Sequence, residues 1–233
     1  VHTVYHLAAK VTTPFANTDP HFFEQVNHWG TAELVYAVEK SNVKRFVFAS
    51  SMGVYGSSKD PVSEATVPNP KTFYGISKLR AEEHVERLND IMETYIMRCG
   101  NVYGYSKSMR IDAVINKFVF EANFSKKLAI HGNGKQARSF IHVDLVARIL
   151  HELLNSETPT GVYNLTDKNL SVIDVVDVLK QIQPELEFLF VNQHLALRHL
   201  TAVPSGKLTK YLDTKDRKTF REELEEFKGK FSF

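Results

Sequence analysis

The sequence predicts an α/β fold, a doubly wound parallel sheet joined to a smaller α+β lobe. Two observations carry this: strand-like and helix-like segments alternate through the first hundred residues, and that alternation breaks after Gly104. A strand is expected at about Thr3–Ala8. A helix follows at about Pro20–Lys40, with Leu34, Val35 and Val38 recurring on one face. Arg45-Phe46-Val47-Phe48-Ala49-Ser50 is short and apolar, as a buried strand should be, and leads into a Gly-, Ser- and Pro-containing loop that lasts to Pro70. A second helix is predicted from about Phe73 to Asn89, and Thr94-Tyr95-Ile96-Met97-Arg98 is the next strand. Strands separated by helices need crossover connections, which makes the sheet parallel.

Beyond Gly104 the pattern predicts a helix at about Ala113–Ala122. Two strands, Leu128–His131 and Ala137–His142, flank Asn133-Gly134, a pair that signals a hairpin turn. A helix at about Val143–Asn155, a strand at Gly161–Leu165, and helices at about Val172–Gln183 and Asp216–Lys228 complete the chain. The first domain is therefore placed at residues 1–104. The lobe comprises mainly residues 105–233, with segments near 138–165 returning to the first domain.

Composition narrows the possible functions. The 233 residues are 43% apolar and 24% charged with a net charge of +2, enough to bury a core without staples. The single cysteine, Cys99, excludes an internal disulfide framework and a multi-cysteine metal site. No basic block points to nucleic acid, and no apolar run approaches the ~18 residues of a membrane span. With no signal-peptide pattern, a cytoplasmic location is expected. The sequence opens on Val1 and enters a strand-like run at once, which predicts a further N-terminal segment of roughly 60–80 residues, two βα units and a strand.

Tyr74-Gly75-Ile76-Ser77-Lys78 is the most informative motif. Residues four apart on a helix share a face, so the Lys78 ammonium is expected to sit near the Tyr74 phenol, lower its pKa and make it a usable base. Ser50-Ser51, closing the preceding strand, falls at the strand end where open α/β sheets bind ligands. Alone, a Tyr-x-x-x-Lys spacing is common on solvated helix faces; with the serines it becomes specific.

Six segments in order, His6-Leu7-Ala8-Ala9, Asn27-His28-Trp29-Gly30-Thr31, Ser50–Gly56, Tyr74–Lys78, Arg98–Gly104 and Arg138–Val143, resemble the motifs of the extended short-chain dehydrogenase/reductases. Within them the chain is most similar to the NAD-dependent nucleotide-sugar epimerase/dehydratase family, of the UDP-glucose 4-epimerase type, up to about residue 165. The resemblance implies a Rossmann-type domain that holds NAD, with NADP still open, and a lobe that binds a nucleoside-diphosphate sugar. It implies that Ser51, Tyr74 and Lys78 are catalytic: Tyr74 moves the proton, Lys78 holds the nicotinamide ribose, and Ser51 bonds the reacting hydroxyl. Ala8, Ala9, Asn27 and Ser50 join Tyr74 and Lys78 on the cofactor side. Asn101 and Arg138 match positions that bind the diphosphate, while Ala129 and His131 fall where backbone groups hold the base. A homodimer is implied, built on the helices at Pro20–Lys40 and Phe73–Asn89 with Phe22, Phe23, Tyr36 and Leu88 as apolar contacts.

The implied activity is epimerisation at C4 through a transient 4-keto sugar. A keto-reductase or dehydrogenase using the same residues is the alternative, and a non-catalytic binding or scaffold protein is the alternative of another class. Met52-Gly53 stands where dehydratase relatives carry an acidic pair, which disfavours dehydration, and no G-x-G-x-x-G run occurs in the sequence. Other features have plain structural readings. His2 and His6 lie too far apart on a strand to share a metal, His142 is expected to bond locally, Asp144 to cap a helix, and Cys99 to pack.

Overall fold

The computed structural model describes residues 1–11, 19–192, 194, 197–214 and 218–231. Its central layer is a four-stranded parallel sheet in the order β1-β2-β3-β7, formed by β1 (Thr3–His6), β2 (Arg45–Ser51), β3 (Glu93–Cys99) and β7 (Gly161–Leu165). Alternation along β2 sends Phe46 and Phe48 to one face and Val47 to the other, and both faces are buried. Phe46 and Phe48 meet Val35 and Val38 of α2 (Gly30–Glu39) and Ala81 and Val85 of α3 (Phe73–Glu86). Val47 packs with Leu145 and Ile149 of α5 (Val143–Glu152). Helices on both faces of a parallel sheet are the doubly wound arrangement that the sequence predicts.

The helix expected at Pro20–Lys40 is built as α1 (Pro20–Phe23), a π-helical stretch at Glu24–Trp29, and α2. Phe23 and Leu88 are wholly buried in the chain itself, so they are core residues and not the surface contacts expected of them. Phe22 is half exposed and Tyr36 half-buried.

The second layer has its own core. There α4 (Val114–Phe124), α6 (Val172–Ile182) and α7 (Phe220–Gly229) pack Phe118, Val119, Val176, Leu179, Leu224 and Phe227 together. The expected start of the last helix, Asp216, lies outside the described residues. The hairpin does not form. The strand β5 (Lys127–His131) pairs in parallel with β9 (Glu187–Val191), whereas β6 (Ala137–His142) lies between β4 (Asn101–Tyr103) and β8 (Lys168–Ser171). Both edges of β6 are thus taken. Gly132 and Gly134 do adopt positive φ, but the Gly134 carbonyl accepts from Ile173 N–H (3.1 Å), which fastens the turn to α6. The cap of α5 also differs: the His142 ring accepts from Asp144 N–H (3.3 Å), and Asp144 sits inside the first turn. Among the described residues no helix is long and apolar enough to cross a membrane, and no group of three or more His, Cys, Asp or Glu side chains could hold a metal.

Candidate active site

A cavity of about 940 Å³ opens where β2 and β3 end, with one wall from the main sheet and another from the second layer. Ser51 closes β2 and caps a short 3₁₀ turn at Met52–Tyr55, accepting from Gly53 N–H (3.0 Å). Tyr74 lies in the first turn of α3, whose Thr72 cap accepts from Gly75 N–H (3.1 Å). The two elements meet closely: a Cβ on Gly75 would lie 2.5 Å from the Gly53 carbonyl oxygen. This approach brings the Ser51 hydroxyl against the phenol. Both Ser51 and Tyr74 line the cavity, as do Ser50, Asn101, Ala129, His131 and Arg138.

Electrostatics depart from the expectation at one point. Burial raises the Tyr74 phenol above the ordinary tyrosine value, opposed by a hydrogen bond with Ser51 and the field of Arg110, not by Lys78. Lys78 is itself buried, its ammonium 4.0 Å from the centre of the Phe48 ring and in no ion pair among the described residues. Desolvation pushes it down to about 8, with Cys99 and Glu82 acting the other way. Cys99, at the cavity wall, is pushed up to about 11 by burial. The Ser50 hydroxyl donates to the Glu82 carboxylate, which pairs with Arg98 (2.6 Å); Arg98 donates in turn to Tyr55 Oη (2.9 Å). Ser50 therefore anchors the end of β2 to α3 and β3.

Ala8, Ala9, Asn27 and Lys78 stand outside this cavity wall. Asn27 is buried on the π-helical stretch and binds the segment after β1 on both sides: its Oδ1 accepts from Lys10 N–H (2.7 Å), and its Nδ2 donates to the Lys10 carbonyl (2.9 Å). The same amide reaches Ser77 Oγ on α3 (3.1 Å). Asn27 thus sets the path of the backbone that carries Ala8 and Ala9, an exposed and a half-buried small residue beside β1.

The opposite wall is cationic. Asn101 donates to the Ser139 carbonyl (3.0 Å), next to Arg138 on β6. The segment at Leu200 runs along β6, with Leu200 N–H donating to the Ala137 carbonyl (3.0 Å), and this sets Arg198 beside Arg138. Burial lowers the pKa of each guanidinium, and the Arg138 charge lowers that of Arg198 further. Among the described residues neither is in an ion pair, and Asp112, paired with Arg110 (2.6 Å), is the one carboxylate that lines the cavity. Sequence reasoning missed Arg198; the available signal was a basic pair between apolar residues, Leu197-Arg198-His199-Leu200. His131 has its carbonyl engaged by Gln136 Nε2 (3.3 Å).

The model of the NAD dependent epimerase/dehydratase family matches residues 1–166. A Methanocaldococcus jannaschii protein provisionally named UDP-glucose 4-epimerase is 32% identical over 186 residues, covering 77% of this chain and 60% of its own. Human dTDP-D-glucose 4,6-dehydratase is 31% identical over 189 residues, covering 78% of this chain and 53% of its own. The chain thus spans between half and two-thirds of the length of these relatives. Among solved structures, MoeE5 in complex with UDP-glucose and NAD superposes with a TM-score of 0.84 at 26% identity, covering 98% of this chain and 78% of that one. Bacillus cereus UDP-glucuronic acid 4-epimerase, in complex with UDP-glucuronic acid and NAD, has a TM-score of 0.87 over 98% of this chain and 74% of that one; at 24% identity it speaks to the fold alone.

Proposed function

Because the chain belongs to the NAD dependent epimerase/dehydratase family, we propose that it serves the NAD-dependent epimerisation of a nucleoside-diphosphate sugar, at C4 through a transient 4-keto sugar. The observation that carries this reading is one cavity with two chemically distinct walls: a serine–tyrosine pair on one side and, on the other, two guanidiniums in no ion pair among the described residues. A diphosphate matches the second wall, since planar guanidinium forks bind phosphate oxygens in pairs, and it would hold the sugar against the first. Relatives in complex with UDP-sugars and NAD support the same ligand classes.

Lys78 supports the cofactor assignment, as a buried ammonium with no ion-pair partner among the described residues suits a ribose hydroxyl. Ala8 and Ala9, held in place through Asn27 and Lys10, would leave room for the dinucleotide beside β1. In this reading residues 1–104 form the cofactor domain and residues 105–233 mainly the substrate lobe. NAD supplies reversible hydride acceptance when bound. The chain's residues do the rest: Ser51 accepts and donates at the reacting hydroxyl, Tyr74 takes its proton and later returns one, and Lys78 would hold the nicotinamide ribose. Met52 and Gly53 are buried and carry no acid to expel a hydroxyl, which favours epimerisation over dehydration. Association as a homodimer through α1, α2 and α3 is part of the proposal, now resting on Phe22 and Tyr36.

The test is a panel of UDP-, dTDP- and GDP-sugars followed by NMR, with Tyr74→Phe beside the parent chain. Tyr74→Phe should lower kcat by roughly two orders of magnitude or more, the scale of a lost general acid/base, with KM nearly unchanged. Unchanged turnover would overturn the mechanism. No binding of any sugar would favour the scaffold alternative.

A further inference from the structure

On the outer face of the helical layer, away from the cavity, two imidazoles point at each other. His28 lies on the π-helical stretch and His84 near the end of α3, and their Nε2 atoms are 3.1 Å apart with ring centroids at 5.1 Å. A widened π turn shifts the side chains that follow it and is frequent at functional sites; here it carries one ring to meet a ring from another helix. The His28 Nδ1 is held by Glu24 Oε2 (2.9 Å), and the other oxygen of that carboxylate meets Arg80 (3.0 Å). Trp29 stacks on His28 at 4.7 Å and lies 6.5 Å from the His84 ring, and the Tyr36 ring stands edge-on to His84 at 6.1 Å.

We propose that His28 and His84 form a two-imidazole binding site for a divalent late transition-metal cation such as Zn²⁺ or Cu²⁺. Metal–nitrogen bonds of about 2.0–2.1 Å put two ligand nitrogens about 2.9 Å apart at a right angle and about 3.3 Å apart at the tetrahedral angle. The observed 3.1 Å falls between the two, so a cation enters with little movement of either ring. Glu24 takes the second position of a carboxylate–histidine–metal arrangement: a proton on Nδ1 turned toward Glu24 leaves the Nε2 lone pair for the metal. The His84 ring needs only its proton on Nδ1 to present a second lone pair, with its Nε2 already turned toward that of His28. Imidazole suits zinc and copper better than the hard cations, and copper should bind the more tightly. Water completes the coordination, since no third His, Cys, Asp or Glu converges among the described residues. The bound cation would tie the π-helical stretch to α3, the helix that carries Tyr74 and Lys78.

The experiment is calorimetric titration of the chain with zinc chloride and with copper sulfate, at neutral pH and without nucleotide or sugar, so it reads independently of any catalytic role. One site per chain with micromolar affinity is expected. His28→Gln and His84→Gln should each weaken it at least tenfold, and Glu24→Gln should weaken it less, leaving both ligands. Circular dichroism checks that each variant keeps its helices. Electron paramagnetic resonance of the copper-loaded parent chain should show two coordinated nitrogens, which requires no variant. Absence of binding at millimolar metal, binding that survives either histidine replacement, or a copper spectrum without paired nitrogen coordination would each overturn the site.

Discussion

Arg138 and Arg198 show how much one pair of side chains can be asked to do. Two half-buried cations in each other's field cost stability until an anion joins them, because among the described residues neither charge has a carboxylate to offset its desolvation. Arg198→Ala should therefore raise the melting temperature of the ligand-free chain at low salt while reducing the extra stabilisation given by UDP, which two melting series would check. His6 makes the opposite kind of statement. It is buried, its ring shares a hydrogen bond with Thr31 Oγ1 (2.8 Å), and desolvation followed by the Lys78 charge pushes it down to about 4. Below the ordinary histidine value of 6.5 the unfolded chain binds this proton and the folded chain does not. Stability is thus full above pH 6.5 and falls toward pH 4, by about 3 kcal/mol at most for a shift of this size. Thermal melts from pH 7 to pH 4.5 should show the loss, and His6→Gln should flatten it.

At the scale of elements, the approach of α3 to the 3₁₀ turn is the joint on which the serine–tyrosine pair depends. Gly75→Ala would drive a methyl into the Gly53 carbonyl and crowd Pro70 Cβ at 3.0 Å. A loss of about 1–3 kcal/mol is expected, as for other overpacked sites, measured by urea denaturation. That joint was only half legible in the sequence. The β2, β3 and α3 segments announce themselves because apolar runs and helical spacing are local signals, and Tyr74, Lys78 and Ser51 come with them. The strands β4, β8 and β9 do not: Asn101–Tyr103 and Lys168–Ser171 are short, and they are strands only because β6 supplies their partners. Asn133-Gly134 misled for the same reason, since a turn signal says that the chain bends and not which strand it will pair with. Arg198 lay in a segment without periodicity, and it joins the site only through the bridge between Arg138 and Leu200.

On the scale of the whole molecule, the expected self-association now has a narrower basis. With Phe23 and Leu88 committed to the interior, Phe22 and Tyr36 on the helical layer, together with Trp29, half exposed between them in sequence, must supply the apolar contact. Light scattering at micromolar concentration should still report a dimer, and a monomer would remove that part of the proposal. The cavity has a further consequence. Its serine–tyrosine wall stands on the core that holds Phe48 and Val85, and its arginine wall stands on the core that holds Phe118 and Leu179. Each core can in principle melt as its own cooperative unit. A ligand that grips both walls works as a stitch between them: the free energy of binding is spent on both units at once, and neither can open without giving up the whole of it.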